Sequence, residues 1–163
     1  ATKLLLEKLT LERARKSPGS RFMVIRSGNI FGSTGSVIPK WIQQISQGNR
    51  ISITHPGMTR FFVDPTALSL FMLNVIERGE SGKIYLPDHI VTNLRDLAEA
   101  VISVYGDETT RLDIIGLRDS EKMHERLFFA SEKDVVAGDN IETSDKGVSH
   151  PDTIESWLES YIE

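Results

Sequence analysis

Apolar positions along this chain fall into short blocks whose spacing switches between helical and extended, and nearly every block stops at Gly, Pro or Asn. Leu4, Leu5, Leu6, Leu9 and Leu11, set among Glu7, Lys8, Glu12 and Arg13, predict a helix with a wide apolar face that needs cover, ended by Ser17-Pro18-Gly19. Phe22 to Ile25 is an unbroken apolar run of strand length, as a strand covered on both faces of a parallel sheet requires. Pro39 opens a second helix with Trp41, Ile42 and Ile45 inward and Gly48 at its end, and Ile51 and Ile53 alternate as a short strand. Phe61-Phe62-Val63 predicts a strand. Asp64-Pro65 starts a helix carrying Leu68, Phe71, Leu73 and Ile76 as far as Gly79. Ile84 to Leu86 is extended, Asn93 caps a helix bearing Leu94, Leu97, Ala98 and Val101, and Ile114-Ile115 is a further short strand. Pro151 opens a last helix with Ile154, Trp157, Leu158, Tyr161 and Ile162 at spacings of three and four, after a polar stretch read as a long loop. The alternation is α/β throughout.

Composition narrows the function. At 163 residues the chain is one cored unit by default, and its net charge of -4, with 19 Lys and Arg interspersed among 23 Asp and Glu, argues against nucleic acid or a membrane surface as partner. An anion must therefore be bound locally. Zero Cys excludes disulfides and thiolate sites and fits a cytoplasmic setting. No run approaches the roughly 18 apolar residues of a membrane span. His55, His89, His124 and His150 lack ligand spacing, so no metal is expected.

Local anion chemistry has three places to sit: Arg26 to Pro39, His55 to Phe62, and Gly116 to Glu125 each put polar or cationic residues in a Gly- or Pro-punctuated turn after an apolar run. Backbone N–H groups and guanidinium forks at strand ends are how anion pockets are built. Arg26, inside its strand end, fits structural pairing better than ligand contact. Neither His55, in a variable turn, nor His124, which packs or caps beside its helix, is read as a general base.

These turns carry a resemblance. Val24 to Ser33 followed by Gly35-Ser36-Val37-Ile38-Pro39, then Thr54 to Phe62 with its Met58-Thr59-Arg60-Phe61, then Ile114 to Glu125, resemble in order three segments of the extended short-chain dehydrogenases/reductases, specifically the UDP-N-acetylglucosamine 4,6-dehydratases of polysaccharide and glycan synthesis. Ala1-Thr2-Lys3 resembles the end of that family's Tyr-x-x-x-Lys motif, which together with the missing initiator Met leads to the expectation of a fragment lacking an N-terminal half. The implied fold is α/β, the C-terminal portion of an extended Rossmann-type sugar-nucleotide enzyme. A remnant of the NAD(P)-binding domain is expected over 1–38 and 82–88, and a small mixed α/β nucleotide-sugar-binding subdomain over 39–81 and 89–130. A polar loop over 131–150 and an amphipathic helix over 151–163 complete that division.

The resemblance also implies roles. Lys3 is the catalytic lysine and holds the nicotinamide ribose; Asn29 lies between cofactor and diphosphate; Val37 and Ile38 line a uracil slot; Arg60 and Arg118 clamp the diphosphate; Glu121 accepts from ribose hydroxyls. NAD(P) belongs to the parent enzyme, and since no G-x-G-x-x-G follows a strand here, binding of it by this chain alone is not expected. The partner is a UDP-sugar, with self-association through uncovered apolar faces. Two other readings stay open: an epimerase of the same fold, and a non-catalytic binding or interaction domain. Thr34, Asp119-Ser120 and Val63-Asp64-Pro65 depart from the family pattern.

Overall fold

The computed structural model describes residues 2–128, 130–132, 136–137 and 151–160. In chain order the elements are α1 (Thr2–Lys16), β1 (Val24–Ile25), β2 (Asn29–Ile30), α2 (Val37–Gly48), β3 (Arg50–Ile53), β4 (Thr59–Val63), α3 (Pro65–Arg78), β5 (Ile84–Tyr85), β6 (Ile90–Asn93), α4 (Leu94–Tyr105), β7 (Arg111–Ile114), a 3₁₀ turn (Ala130–Glu132), β8 (Val136–Ala137) and α5 (Pro151–Ser160). Most of the loop expected over 131–150, and Tyr161 and Ile162 of the last helix, lie outside the described residues. Among the described residues no helix is long and apolar enough to cross a membrane.

Contacts divide the chain into two units. The first comprises Ala1–Ser27, Pro65–Asp88 and Arg126–Thr143; the second comprises Gly28–Asp64, His89–Glu125 and Ser144–Glu163. The division thus falls at Ser27 and Asp64, and it groups α3 with α1.

In the first unit β1, β5 and β8 form a parallel sheet, with Val24 opposite Ile84 and Ile84 opposite Val136, as the unbroken apolar run anticipated. Arg21 closes α3 by donating to the carbonyls of Ile76 at 2.7 Å and of Glu77 and Gly79 at 3.2 Å, which satisfies the orphan acceptors of a helix C-terminus with a cation. Arg26, at the end of β1, is wholly engaged. It donates to both oxygens of Glu132 at 2.8 and 2.9 Å, to Glu7 at 2.7 and 3.3 Å, and to the Leu127 carbonyl at 2.6 Å. The bonds to Glu132, against a burial cost and joined by those to Glu7, hold its proton more tightly than in a free arginine. Arg26 therefore ties α1, β1 and the 3₁₀ turn together. The helix faces are less covered than their leucines predict: Leu4, Leu5, Leu6 and Leu9 of α1 and Leu70, Leu73 and Ile76 of α3 are exposed, whereas Leu68 and Val75 are buried.

The second unit holds the larger core. β2 runs parallel to β4 and β6 antiparallel to it, while β3 pairs in parallel with β7. Ile38 and Trp41 of α2, Ile51 and Ile53 of β3, Leu97 and Val101 of α4, and Ile154 and Leu158 of α5 meet in one cluster. Each such side chain contributes about 1.5–3 kcal/mol by leaving water. Trp41 keeps its indole N–H satisfied on the Ser52 carbonyl at 2.9 Å. α4 begins as its sequence demands, the Asn93 side chain accepting from the Asp96 N–H at 2.8 Å. Three strands, β2, β6 and β8, were not legible in the apolar pattern, β8 falling in the stretch read as a loop, and α2 starts at Val37 rather than Pro39.

Candidate functional site

The second unit contains a cavity of about 180 Å³. One side is apolar, from Val37, Met58, Phe62 and Leu94; the other is polar, from Asn29, Ser36, Arg60 and Glu121. Binding sites for small molecules commonly span about 300–1,000 Å³, so this volume holds a fragment of such a ligand rather than the whole.

Three turns deliver the polar groups. Asn29 opens β2 opposite Phe62 of β4, and its side-chain amide donates to the Phe61 carbonyl at 3.2 Å. This close pairing depends on Gly28, where a Cβ would meet the Phe61 Cβ at 2.5 Å. The Gly28 N–H is satisfied by Nε2 of His89 at 2.9 Å, so that nitrogen is the unprotonated acceptor, and the His89 ring lies edge-on to Phe61. Two backbone bonds, from the Ser33 N–H to the Ile30 carbonyl at 3.3 Å and from the Ser36 N–H to the Ser33 carbonyl at 2.9 Å, then carry the chain into α2. Ser36 occupies the N-cap of that helix in extended conformation, yet its hydroxyl caps nothing. Its Oγ is buried without a hydrogen-bond partner.

The Gly116 to Glu125 turn is pinned to the start of β4. The Thr59 N–H donates to the Met123 carbonyl at 3.0 Å, and the Thr59 hydroxyl lies 2.7 Å from Nδ1 of His124. Arg60 donates from one terminal nitrogen to the Thr59 carbonyl at 2.8 Å and to that of Met123 at 3.4 Å. Its Nε lies 3.6 Å from Glu125, and its other terminal nitrogen 4.0 Å from Glu121. Glu121 accepts on Oε1 from the Thr54 hydroxyl at 3.4 Å, while its Oε2 is buried and unpartnered. Unpaired buried polar atoms cost about 1–3 kcal/mol each, and two of them here, Ser36 Oγ and Glu121 Oε2, belong to residues lining one cavity. An orphaned carboxylate oxygen can only accept, so the chemistry asked for there is a donor such as a sugar hydroxyl. His55 turns its Nδ1 to the Gly57 N–H at 3.1 Å, a purely local bond.

Of the residues singled out by sequence, Asn29, Val37, Arg60 and Glu121 meet around this cavity. Ile38, one position beyond Val37, is fully buried in the hydrophobic core, so its side chain packs rather than lines the cavity. Arg118 is exposed on the same turn as Glu121 and is not a lining residue; its carbonyl accepts from the Glu121 N–H at 2.9 Å. Lys3 is exposed on α1 in the first unit. Sequence reasoning had not singled out Ser36, Met58, Phe62 or Leu94 as site residues. Ser36 carried a signal, a serine directly ahead of a helix whose cap bond is unmade; Leu94 had none beyond its apolar spacing.

Comparison with known proteins is consistent along most of the chain. The model of the family described as polysaccharide biosynthesis protein matches residues 1–143. A UDP-glucose 4-epimerase of Rickettsia typhi is 36% identical over 142 residues, which is 86% of this chain and 41% of that protein. An uncharacterized membrane protein of Methanocaldococcus jannaschii is 35% identical over 141 residues, 81% of this chain and 42% of the other. The chain thus spans about two-fifths of the length of these relatives. Among solved structures, Pen from Bacillus thuringiensis superposes with a TM-score of 0.84 at 24% identity, over 98% of this chain and 56% of that one. The dTDP-glucose 4,6-dehydratase DesIV of Streptomyces venezuelae, solved with NAD and TYD bound, gives 0.68 at 16%, over 94% and 48%. These likenesses fix the fold as mixed α/β of the extended Rossmann type, and with the family match and the 36% identical relative they establish that the chain belongs to the polysaccharide biosynthesis protein family.

Proposed function

We propose that this chain supplies the nucleotide-sugar site of a UDP-sugar enzyme of surface polysaccharide or glycan synthesis, a 4,6-dehydratase acting on a substrate like UDP-N-acetylglucosamine. The observation that carries this reading is the cavity whose lining brings together a cation, Arg60, and a carboxylate, Glu121, one of whose oxygens is buried with no donor. A nucleotide sugar offers both complements, anionic diphosphate oxygens and ribose hydroxyls, a few bonds apart. In this reading Arg60 binds the diphosphate through its terminal nitrogen facing Glu121, and Glu121 accepts from the ribose. Ser36 and Asn29 supply neutral polar contacts, and Val37 covers the apolar edge of the base. Arg118 comes in from solvent as the second cation. Held by these groups, remote binding energy positions the hexose.

A second reading, a nucleotide-sugar 4-epimerase, is favoured by the relatives named UDP-glucose 4-epimerase. It uses the same binding groups and differs in whether water is lost. A dinucleotide cofactor supplies hydride transfer in either reading. Of this chain's residues Lys3 and Asn29 are assigned to it, they belong to different units, and the sequence has no Gly-rich dinucleotide loop. Without that loop these residues do not amount to a dinucleotide site. A cytoplasmic location and self-association through the exposed leucines of α1 and α3 complete the proposal.

Calorimetric titration of the chain with UDP, UDP-N-acetylglucosamine and uridine tests binding. The expected result is heat with the two diphosphates, and an Arg60→Ala variant weaker by about 10- to 100-fold, the value of a charge-assisted bond of about 1.5–3 kcal/mol. A folded sample that takes up none of them overturns the proposal. Product analysis with the whole-length protein then separates a 4-keto-6-deoxy sugar from a C4 epimer.

A further inference from the structure

Arg60 is surrounded by more negative charge than it carries. Its side chain is 14% exposed, with one terminal nitrogen committed to two carbonyls, Nε facing Glu125 at 3.6 Å and the other terminal nitrogen facing Glu121 at 4.0 Å. One guanidinium and two carboxylates leave a single net negative charge beside a cavity that is to receive an anion. The carboxylates are not equivalent. Glu121 lines the cavity and has one buried, unpartnered oxygen; Glu125 is not a lining residue, is 39% exposed at its side chain, and has Arg60 as its one ion-pair partner among the described residues. The nearby charged or titratable groups of the turn do not neutralise it: His124 is bonded to Thr59, and Arg118 and Lys122 are exposed without an ion pair among the described residues.

We infer that Glu125 is a charge filter for this site. It competes with an incoming anion for Arg60, so that the attraction left over suffices for a diphosphate esterified at both ends, with about two negative charges, but not for a free nucleoside triphosphate with about four. Both ligands carry the ribose hydroxyls that Glu121 accepts from, so the difference between them falls on the charge around Arg60. Glu121 binds what the two ligands share, and Glu125 selects between them by repulsion. This inference rests on the nucleotide-sugar reading of the cavity.

The test is the affinity of the full chain and its Glu125→Gln variant for UDP-N-acetylglucosamine and for UTP, by calorimetry at low ionic strength, with circular dichroism as the check of folding. Removing a partly exposed charge at this range is expected to tighten UTP about tenfold and the nucleotide sugar about threefold or less, both gains shrinking as salt is added. Equal changes for the two ligands, or weaker binding of both, overturn the inference; weakening would mean that Glu125 orients Arg60 instead. If the folded wild type binds UDP-N-acetylglucosamine and only the ratio fails to move, the filter alone is lost. If neither protein binds either ligand, the nucleotide-sugar reading falls with it. Glu125→Ala, read the same way, replaces the Gln variant should that one not fold.

Discussion

A single methyl group at Gly28 would undo the pairing that presents Asn29. A Cβ there would lie 2.5 Å from the Phe61 Cβ and 2.6 Å from the Phe61 carbonyl oxygen, and the carbonyl belongs to β4 and cannot swing aside as a flexible side chain would. Gly28→Ala is expected to cost about 2–3 kcal/mol, the upper part of the range for forced overpacking. It should also weaken UDP binding, because Asn29 follows directly. Urea denaturation read by tryptophan fluorescence measures the first effect, and a change under about 0.5 kcal/mol, the scale of an ordinary surface substitution, would show that β2 does not depend on this contact. At this scale sequence reasoning found chemistry better than placement. Arg60 and Glu121 were visible through residue type and motif, because charge and hydrogen-bonding capacity are properties of the residue itself. The neighbouring pair Val37 and Ile38 was not separable. α2 begins two residues earlier than its proline suggests, and successive helical positions then point in different directions, Val37 to the cavity and Ile38 to the core.

Between elements, the joints are polar where the faces are apolar. Asn49 ends α2 in the left-handed region, at φ 48°, and its side-chain amide donates to Asp107 at 3.0 Å across the loop that follows α4. Asp107 also accepts from the Thr109 N–H at 2.8 Å and hydroxyl at 2.7 Å, and the Arg111 N–H donates to the Asn49 carbonyl at 3.1 Å where β3 and β7 begin to pair. The bond from Asn49, with those from Thr109, lowers the Asp107 carboxyl to about 2 from its usual 3.8. A folded-state value below the unfolded one stabilises the protein fully above about 4 and loses that contribution as pH falls through about 2. The stability difference between wild type and Asp107→Ala is therefore expected to be constant near neutrality and to shrink between pH 4 and 2; a gap that stays level through that window removes the carboxylate's role. Elements of ten or more residues were legible from spacing, α4 best of all, since its apolar period and its Asn93 cap agree. β2 has two residues and Ile90-Val91-Thr92-Asn93 of β6 does not alternate, so neither declares itself, and both exist because β4 offers them partners distant in sequence. Leu73 and Ile76 have helical spacing but remain exposed, because spacing marks a face without telling what covers it.

For the molecule as a whole, the two units differ in how much they bury. The first has Leu68, Val75, Ile84 and Leu127 as its buried apolar residues among those described, and exposes leucines along α1 and α3; the second has the continuous cluster from Phe31 to Leu158. Since stability follows apolar burial, the first unit is expected to open at lower denaturant than the second. The chain carries its own reporters for this. Both tryptophans, Trp41 and Trp157, belong to the second unit, Trp157 lying edge-on to Phe31 at 5.1 Å, whereas helices of 15 and 14 residues in the first unit contribute to far-ultraviolet circular dichroism. The dichroism transition should therefore begin before the fluorescence transition, at protein concentrations low enough to suppress association through the exposed leucines. Ligand sharpens the comparison, because every residue lining the cavity belongs to the second unit. UDP-N-acetylglucosamine at about one hundred times its dissociation constant should stabilise that unit by about 2.7 kcal/mol, moving the fluorescence midpoint while the early dichroism phase stays where it was. Coincident curves that shift together would instead make the chain one cooperative body, in which the thinly packed first unit draws its stability from the second.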